Sequence, residues 1–360
     1  MKKNKDYLSV YSDFKEKERA RHEALLCSDN NVFPAEVRGG GWYKDKKRSF
    51  CLQKGQEYFN LYEEIRDDVK YYFETEHIAF WGNEREVPNH TLSSQVACLN
   101  HLFAIRNDPE TVLGIAKAIT GRGDIIGMKK VDCDQKPQYI AFEVVSKDDH
   151  LNENSTPNRG AFCTSIDAVM LADLKGGGTL LIMIEWKYTE SYSSNDKSKE
   201  SDPDRPMQPE AKGIERLKRY CQLITNSEYL ESISIDDTTC ENELELNEDI
   251  LPYRGSIYFQ EPYYQLMRQT LWAEQMIKYQ SSEKIKATEF MHIHVIPAGN
   301  KELLNTGFDG EQSENAMCES WKKQLKKDIY KWVDPQKIRN VLKEKDEKLY
   351  DYLCKRYGNQ

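Results

Sequence analysis

Two acidic residues and a lysine lie within predicted buried strands, and residues of these types can act together on a phosphate. Glu185 and Lys187 end an apolar run, TLLIMIEWKY, and Asp167 lies in the preceding run, SIDAVMLADL. Burying an unpaired carboxylate or ammonium group is costly, so buried charges are usually paired or bind a metal. Two carboxylates are typical protein ligands of Mg²⁺, and an adjacent lysine can orient or deprotonate a water or offset charge on phosphorus. The three residues therefore predict metal-assisted hydrolysis of a phosphodiester.

A β-hairpin would bring these three side chains to one end of a sheet. Gly176, Gly177 and Gly178 separate the two apolar runs and suit a tight antiparallel turn. Residues two apart on a strand project from the same face, so we expect Glu185 and Lys187 to share one. The surrounding pattern of helices and strands predicts an α/β fold without internal repeats.

Periodic apolar patterns and turn residues predict the remaining elements. Asp108 and Pro109 have the residue types of a helix cap and a first helical residue. Residues 1–26 are predicted to be a solvated helix or a partly disordered arm, and 189–208 and 226–250 flexible loops. The other predicted strands are 77–82, 139–145 and 289–298, and the predicted helices are 56–73, 91–106, one after Asp108, 214–224, 261–279 and a tail from 321.

Composition predicts a surface-rich protein that still buries a sizeable core. Charged residues make up 31% of the 360 residues, aromatic residues make up 11%, and the mean hydropathy is -0.78. No stretch has the length and apolarity of a membrane span or signal peptide, which predicts a cytoplasmic protein with no membrane partner. The nine cysteines show no CxxC spacing, which argues against a disulfide framework or a zinc knuckle. The net charge of -9 owes much to acidic residues in 226–250, so it neither supports nor excludes a polyanionic partner.

The order of these motifs resembles the PD-(D/E)xK nuclease superfamily, whose members have the restriction-endonuclease-like fold. The match consists of Asp167 in SIDAV and then Glu185 and Lys187 in IEWKY, on consecutive strands with a helix before and a helix after. The chain is also similar to a bacterial branch of uncharacterised restriction endonucleases. The resemblance implies a core over 85–300, a mixed central β-sheet flanked by helices. Residues 1–84 would form a mainly helical extension, and residues 301–360 a helical tail packed on the core.

The resemblance also implies a role for each matched residue. Asp167 and Glu185 would bind Mg²⁺, or Mn²⁺ as an alternative, with the backbone carbonyl of Trp186 as a further ligand. Lys187 would activate the attacking water. Gln95, on the preceding helix, stands where members often have a glutamate, and an amide oxygen is a weaker ligand. Whether one metal or two bind is therefore left open.

Substrate contacts are expected on the two helices that follow the hairpin. Arg216 and Tyr220, one turn apart, resemble the DNA-contacting helix of some members. Arg268 and Gln269 could reach substrate phosphate or pack against neighbouring aromatic residues, and the sequence does not decide between these. The implied partner is nucleic acid, with DNA favoured over RNA, and a homodimer is left open.

Interpretations without catalysis, and one other kind of enzyme, compete with the nuclease interpretation. Seven other (D/E)xK triplets occur in the chain, and none follows a six-residue apolar run. Glu185 and Lys187 could be a salt-bridged pair at a strand end, and His292 and His294 share a strand face without a third metal ligand near them in sequence. The functional alternatives are a catalytically inactive nucleic-acid-binding or structural protein of the same fold, and a metal-dependent phosphoesterase for a small substrate.

Overall fold

The structure, a computed structural model, describes residues 13–28, 32–43, 45–80, 85–153, 156–159, 163–192, 195–234 and 246–358. Its strands are β1 (Gly41–Tyr43), β2 (Lys46–Arg48), β3 (Ile125–Lys129), β4 (Ile140–Val144), β5 (Ile166–Leu174), β6 (Thr179–Trp186), β7 (Glu289–Val295) and β8 (Tyr330–Val333). Its α-helices are α1 (Asp13–Cys27), α2 (Arg66–Thr75), α3 (Ser94–Leu102), α4 (Pro109–Thr120), α5 (Ala211–Thr225), α6 (Tyr263–Lys278), α7 (Lys301–Leu304), α8 (Ala316–Lys322), α9 (Gln336–Lys345) and α10 (Glu347–Tyr357).

A mixed six-stranded sheet forms the centre of the fold. Its strands lie in the order β3, β5, β6, β7 and β8, and β4 also pairs with β5. The pairs β3–β5, β4–β5 and β5–β6 are antiparallel, whereas β6–β7 and β7–β8 are parallel. β1 and β2 form a separate two-stranded antiparallel sheet. The α/β class and the mixed central sheet agree with the fold predicted from the sequence.

The sheet is buried on both faces, so β6 is apolar on both sides. Ile182 and Ile184 belong to a hydrophobic cluster that includes residues of α1, α3, α4, α9 and α10. Leu181 and Met183 belong to a second cluster, with residues of α5 and α6. Side chains alternate between faces along a strand, so Glu185 continues the row of Leu181 and Met183. The strand therefore directs Glu185 toward the α6 side of the sheet.

The predicted hairpin and the predicted cap of α4 are both confirmed. β5 and β6 pair in a register that sets Ala168 opposite Ile184, and residues 175–178 connect them. Gly177 has a φ of +85°, a conformation in which glycine carries no steric penalty. The Asp108 carboxylate accepts the backbone N–H groups of residues 110 and 111 at 3.1 and 3.4 Å, and Pro109 is the first helical residue.

Several predicted helices and strands differ from those observed. Residues 56–73 are not one helix: two short 3₁₀ turns, Glu57–Asn60 and Glu63–Ile65, precede α2 because the backbone at Leu61 is extended. The predicted strand 77–82 shows only an isolated bridge at Phe80 in its described residues. The N-terminal segment, predicted to be mainly helical, also carries the β1–β2 sheet.

Two strands of the central sheet were not predicted at all. β3 lies at one edge and β8 at the other, and β8 interrupts a tail that was predicted to be wholly helical. Edge strands are exposed along one side, and only the first residue of β3 is buried. The period of two that identifies a strand is therefore missing from both sequences.

The N-terminal arm packs on the core along one face of α1. Phe14, Glu18, His22 and Leu26 are buried, and His22 Nε2 lies 3.1 Å from the hydroxyl oxygen of Tyr188. The solvated-helix prediction is thus wrong for this face, and residues 1–12 of the arm lie outside the described part. One hydrophobic cluster joins residues of all three predicted segments, and their boundaries at 84 and 300 stay a prediction.

The two predicted loops contain little regular structure where they are described. Residues 189–208 contain one 3₁₀ turn, Lys197–Lys199, and residues 235–245 of the acidic segment lie outside the described part. Within the described ranges, no helix has the length and apolarity needed to cross a membrane. The cysteines in those ranges are all free thiols.

Candidate active site

A cavity of about 730 Å³ opens at the end of the sheet where β5 begins and β6 ends. Asp167 of β5, Glu185 and Trp186 of β6, and Lys187 just after it all line this cavity. Gln95 of α3 lines it as well. The structure therefore brings together at one cavity the residues that the sequence placed in the catalytic and metal-binding set.

Asp167 is fixed by the backbone of the neighbouring strand. Its Oδ2 accepts the backbone N–H of Trp186 at 2.7 Å. Burial raises the pKa of Asp167 well above its ordinary value, and the nearby carboxylates of Glu185 and Glu143 raise it further, against the opposing charge of Lys187. A raised carboxyl pKa among other carboxylates marks a site where negative charge is crowded.

Glu185 is held by three side-chain donors. Its Oε1 accepts Lys187 Nζ at 2.7 Å and Gln265 Nε2 at 2.6 Å, and its Oε2 accepts Gln269 Nε2 at 2.5 Å. Gln265 and Gln269 are four apart on α6 and therefore lie on the same helix face. Because Glu185 is only 2% exposed, this network fixes its orientation and compensates its burial.

Lys187 is an ammonium group in this network. Its Nζ also donates to Gln265 Oε1 at 2.6 Å, and the ring of Tyr192 lies 5.8 Å away. Burial alone would lower the pKa of Lys187, but the surrounding negative groups, Glu185 foremost, outweigh it and raise the pKa well above its ordinary value. The side chain therefore presents a positive charge and N–H donors to the cavity.

A third carboxylate, Glu143 of β4, faces the same cavity and was missed in the sequence. It lies between the registered pairs of β4 and β5 and thus opposite Asp167, and its φ of +49° is unusual for a residue with a side chain. Its Oε1 accepts Gln95 Nε2 at 2.6 Å, and its Oε2 accepts Ser165 Oγ at 2.9 Å. Burial raises the pKa of Glu143, the hydrogen bonds from Gln95 and Ser165 lower it, and the charge of Glu185 raises it. The signal was present, since Glu143 is an acid within the apolar strand IAFEV, the criterion that singled out Asp167.

Gln95 contacts one of the acids of the cavity, and its role as a metal ligand stays a prediction. Its amide group donates to Glu143, and the helix that carries it is capped by Ser93, whose Oγ accepts the backbone N–H of Val96 at 3.3 Å. Helix α3 carries Gln95 where the family often has an acid, and the site instead has an acid on β4, Glu143, which Gln95 holds in place. The negative charge of the site is therefore larger than the sequence predicted.

The donors at this cavity suit a hard divalent cation. Glu143, Asp167 and Glu185 offer carboxylate oxygens, the ligands that Mg²⁺ and Mn²⁺ prefer, and their mutual repulsion is what a cation would relieve. Each carboxylate is held by its own donors, and the ligand atoms of the three do not all lie within 4.8 Å of one another. The chemistry of the donor set fits a divalent metal.

A more compact group of possible ligands, Asp148, His150 and Glu283, lies outside this cavity. His150 Nε2 is 2.7 Å from Glu283 Oε1, and the backbone N–H groups of Lys147 and Asp148 donate to Glu283 at 2.9 and 3.3 Å. The His150 ring stacks on Tyr279 with the ring centroids 4.7 Å apart. Glu283 is satisfied by these contacts, which anchor the loop after β4 to the connection between α6 and β7.

The two residues predicted for substrate on α6 have different surroundings. Gln269 contacts Glu185 and is 1% exposed, so its observed partner is the candidate metal ligand. Arg268 lines the cavity, and its Nε lies 2.8 Å from Glu153 Oε1. The same oxygen accepts the hydroxyl of Tyr220 at 2.6 Å. Arg268 therefore reaches the cavity while holding the loop that leads to β5.

The structure does not bring Arg216 and Tyr220 of α5 to the cavity. The Arg216 guanidinium group donates to Glu200 at 2.8 Å and lies 5.6 Å from the ring centroid of Tyr264. Tyr220 is 1% exposed. Their role in substrate binding stays a prediction, and the observed contacts give both residues a structural function.

The two histidines of β7 are buried beside this network. His294 Nδ1 lies 3.0 Å from the hydroxyl oxygen of Tyr330. Burial and, to a smaller extent, the charge of Lys187 lower the pKa of His292 to about 3, so its ring is neutral at pH 7. No compact trio of metal ligands includes either histidine in the described ranges.

Comparison with known proteins assigns the family. Residues 26–358 match the model of a family described as restriction endonuclease associating with ARP. Neither a curated protein nor a solved structure matches the chain. The match includes the acids that form the floor of the cavity, Glu143, Asp167 and Glu185, and every strand of the central sheet. The mixed sheet flanked by helices is compatible with a restriction-endonuclease-like core. The chain therefore belongs to the family of restriction endonucleases associating with ARP.

Proposed function

We propose that this protein is a metal-dependent endonuclease that hydrolyses phosphodiester bonds of DNA. The observation that carries the proposal is the meeting of three carboxylates and a buried lysine at one cavity of a restriction-endonuclease family member. Asp167 and Glu185 would hold Mg²⁺, or Mn²⁺ in its place. The Trp186 carbonyl would be a further ligand, and Glu143 would add the third acid.

The chain's own residues prepare the site for this reaction. A divalent cation would supply Lewis acidity, which polarises a phosphate and makes a water more acidic. Gln265 and Gln269 fix Glu185, and the Trp186 N–H fixes Asp167, so the acids require little reorganisation during the reaction. An enzyme site requires acids that are held in place in this way, whereas an ion pair with only a structural function does not require it.

Lys187 has more than one role open to it in this proposal. Beside a bound cation it would activate the attacking water, by orienting or deprotonating it, or offset charge on the phosphorus. Its Nζ is already bonded to Glu185 and therefore lies beside the proposed metal site.

The inactive alternative is favoured by Gln95, at a position where the family often has an acid, and by the net charge of -9. Glu143 supplies an acid from β4, which weakens the argument from Gln95. The small-substrate alternative is less well supported than DNA because the family is described as restriction endonucleases.

Matched substitutions test the catalytic proposal. Asp167→Asn, Glu185→Gln and Lys187→Met should each slow cleavage of DNA in millimolar Mg²⁺ by about 10³-fold, the equivalent of about 4 kcal/mol of transition-state stabilisation. Asp173→Asn is the control, because Asp173 begins another D-x-K triplet on β5, but its side chain is 40% exposed and pairs with Lys129 at 2.8 Å. Cleavage that survives substitution of Asp167 and Lys187 would refute the proposal.

Metal binding separates the enzyme from the inactive alternative. Calorimetric titration of Mg²⁺ or Mn²⁺ should show binding to the wild type and loss of binding in Asp167→Asn. A concentration ten times the dissociation constant should also stabilise the wild type by about 1.4 kcal/mol in thermal unfolding. No binding at millimolar metal would favour the inactive protein.

A further inference from the structure

A second group of residues lines the same cavity and comes from the N-terminal part of the chain. It contains cationic and aromatic side chains, whereas the floor is acidic. We refer to it as the N-terminal wall, and its members are Lys15 and Arg19 of α1, Tyr43 of β1, Arg48 of β2, Phe50 and His90.

Only one of the three cations of the N-terminal wall, Arg19, makes an ion pair within the described part of the chain. Arg19 pairs with Glu16 and lies 5.4 Å from the ring centroid of Phe50. Within the described ranges, neither Lys15 nor Arg48 makes an ion pair. Positive side chains gathered in a cavity attract anions and raise the local concentration of an anionic substrate. This part of the cavity is therefore basic although the whole chain carries a net charge of -9.

The lowered pKa of His90 indicates that the three cations lie close to its ring. Burial, followed by the charges of Lys15, Arg19 and Arg48, lowers its pKa to about 4. Three positive side chains from two separate elements thus act on one imidazole ring. The ring itself is neutral at pH 7.

Aromatic rings lie among the cations. The centroid of the His90 ring is 5.0 Å from that of Tyr43 and 5.2 Å from that of Phe50. Tyr43 and His90 are only partly buried and line the cavity. Cations that follow phosphates, interleaved with aromatic rings on which bases stack, are the usual features of sites for single-stranded nucleic acid.

The size of the cavity favours an unpaired strand over a duplex. Cavities of about 300–1,000 Å³ enclose drug-sized ligands, and the volume here, about 730 Å³, lies within that range. A nucleotide or two fills a volume of this size. In a duplex the faces of the bases are stacked on each other, so they reach an aromatic side chain only after the base leaves the stack.

We propose that the substrate is a DNA strand that is unpaired at the point of cleavage. Its phosphates bind Lys15 and Arg48, and a base stacks on Tyr43 and His90. This inference rests on the proposed nuclease function, because it assigns the substrate class of the same cavity. It concerns binding by the N-terminal wall and not the chemistry at the acidic floor.

Binding is measured without cleavage, by fluorescence anisotropy of labelled oligonucleotides in the presence of a chelator. The wild type should bind a single strand at least tenfold more tightly than the matched duplex. Arg48→Ala should weaken binding of the single strand about fivefold and reduce its salt dependence by about one phosphate contact. Tyr43→Ala should weaken it about tenfold, because one stacked base is lost.

Two controls separate loss of contact from loss of fold. Lys47→Ala changes the neighbouring basic residue of β2, which is exposed and does not line the cavity, and should leave binding unchanged. Arg48→Lys keeps the charge and should restore most of the affinity. Circular dichroism melting confirms that each variant is folded.

The outcomes distinguish this inference from the proposed function. Equal affinity for duplex and single strand, with no effect of Arg48→Ala, would overturn the inference. Tight binding of a single strand with no cleavage in Mg²⁺ would uphold it and overturn the nuclease proposal. Cleavage of fully paired DNA that is insensitive to Arg48→Ala and Tyr43→Ala would uphold the nuclease and overturn the inference.

Discussion

Substitution of Arg268 by methionine tests whether this residue stabilises the loop before β5 or binds substrate. Its Nε and one terminal nitrogen both lie 2.8 Å from Glu153 Oε1. The Glu153 side chain is 4% exposed and the Arg268 side chain 24%. Glu153 also accepts the backbone N–H and the hydroxyl of Thr164 at 2.5 and 2.6 Å, and the hydroxyl of Tyr220. The substitution would leave this buried carboxylate without its cation.

The expected cost follows from this burial. Removing one partner of a buried ion pair costs about 3–5 kcal/mol. The partial exposure of Arg268 and the three donors that remain on Glu153 place the cost at the lower end, about 3 kcal/mol at pH 7. With an unfolding entropy of about 2.1 cal/mol/K per residue, a chain of 360 residues should lose about 4 °C in Tm.

The cost should depend on pH with a definite sign. Burial alone would raise the pKa of Glu153, but Arg268 and the donors of Thr164 and Tyr220 outweigh it and lower the pKa below its ordinary value. A lowered pKa in the folded state contributes stability above the unfolded pKa, about 4.3, and the contribution is lost as the pH falls through the folded pKa. The difference between wild type and Arg268→Met should therefore be complete at pH 7 and shrink below about pH 4.

Urea unfolding at pH 7 and at about pH 3 measures this difference. Lys278→Met is the matched control, because Lys278 is exposed on the same helix, and should change the unfolding free energy by less than about 0.5 kcal/mol. If Arg268→Met left the unfolding midpoint unchanged but raised KM for DNA, Arg268 would be a substrate-binding residue and the reasoning would be refuted.

Three further substitutions test the site and its support. Glu143→Gln should lower Mg²⁺ affinity at least tenfold in a calorimetric titration, and unchanged affinity would remove Glu143 from the site. Gln269→Leu, which loses a donor to the candidate metal ligand, should lower Mg²⁺ affinity about tenfold without changing single-strand binding, whereas weaker DNA binding would indicate a substrate contact. Gly213→Ala would place a Cβ 2.0 Å from the carbonyl oxygen of Ser198 and should cost about 1–3 kcal/mol in thermal unfolding; Gly123→Ala, with no atom within 4 Å, should cost less.

The acids and the lysine of the cavity could be predicted from the sequence because they lie close together in it. Asp167, Glu185 and Lys187 are charges within apolar strands, and one short hairpin brings them together. Glu143 carries the same signal on β4 and was missed because the resemblance directed the search for a third acid to α3. A search for every acid within an apolar strand would have found Glu143, but the family resemblance limited the search to α3.

The features of the fold and the site that could not be predicted depend on contacts between segments far apart in the sequence. The sequence places Arg216 and Arg268 on helices, but only the packing of α5 and α6 against the sheet decides which of them reaches the cavity. α1 was interpreted as solvated because its composition is mostly charged, whereas Glu18 and His22 are buried against Tyr188. β8 has only two buried residues at an edge, too few to show a period.

The parallel strand pairs β6–β7 and β7–β8 determine how late in synthesis the sheet around the candidate site can form. Glu185 lies opposite His294 of β7, and His294 lies opposite Trp332 of β8, so the edge of the site strand is covered only by segments made much later. Pairings between such distant segments form slowly. A nascent chain therefore carries Asp167, Glu185 and Lys187 long before they have a sheet around them, and a chain that stops short of β8 lacks one edge of that sheet. Under the proposed nuclease function, a chain that is still being made would therefore carry the catalytic residues without the sheet that positions them.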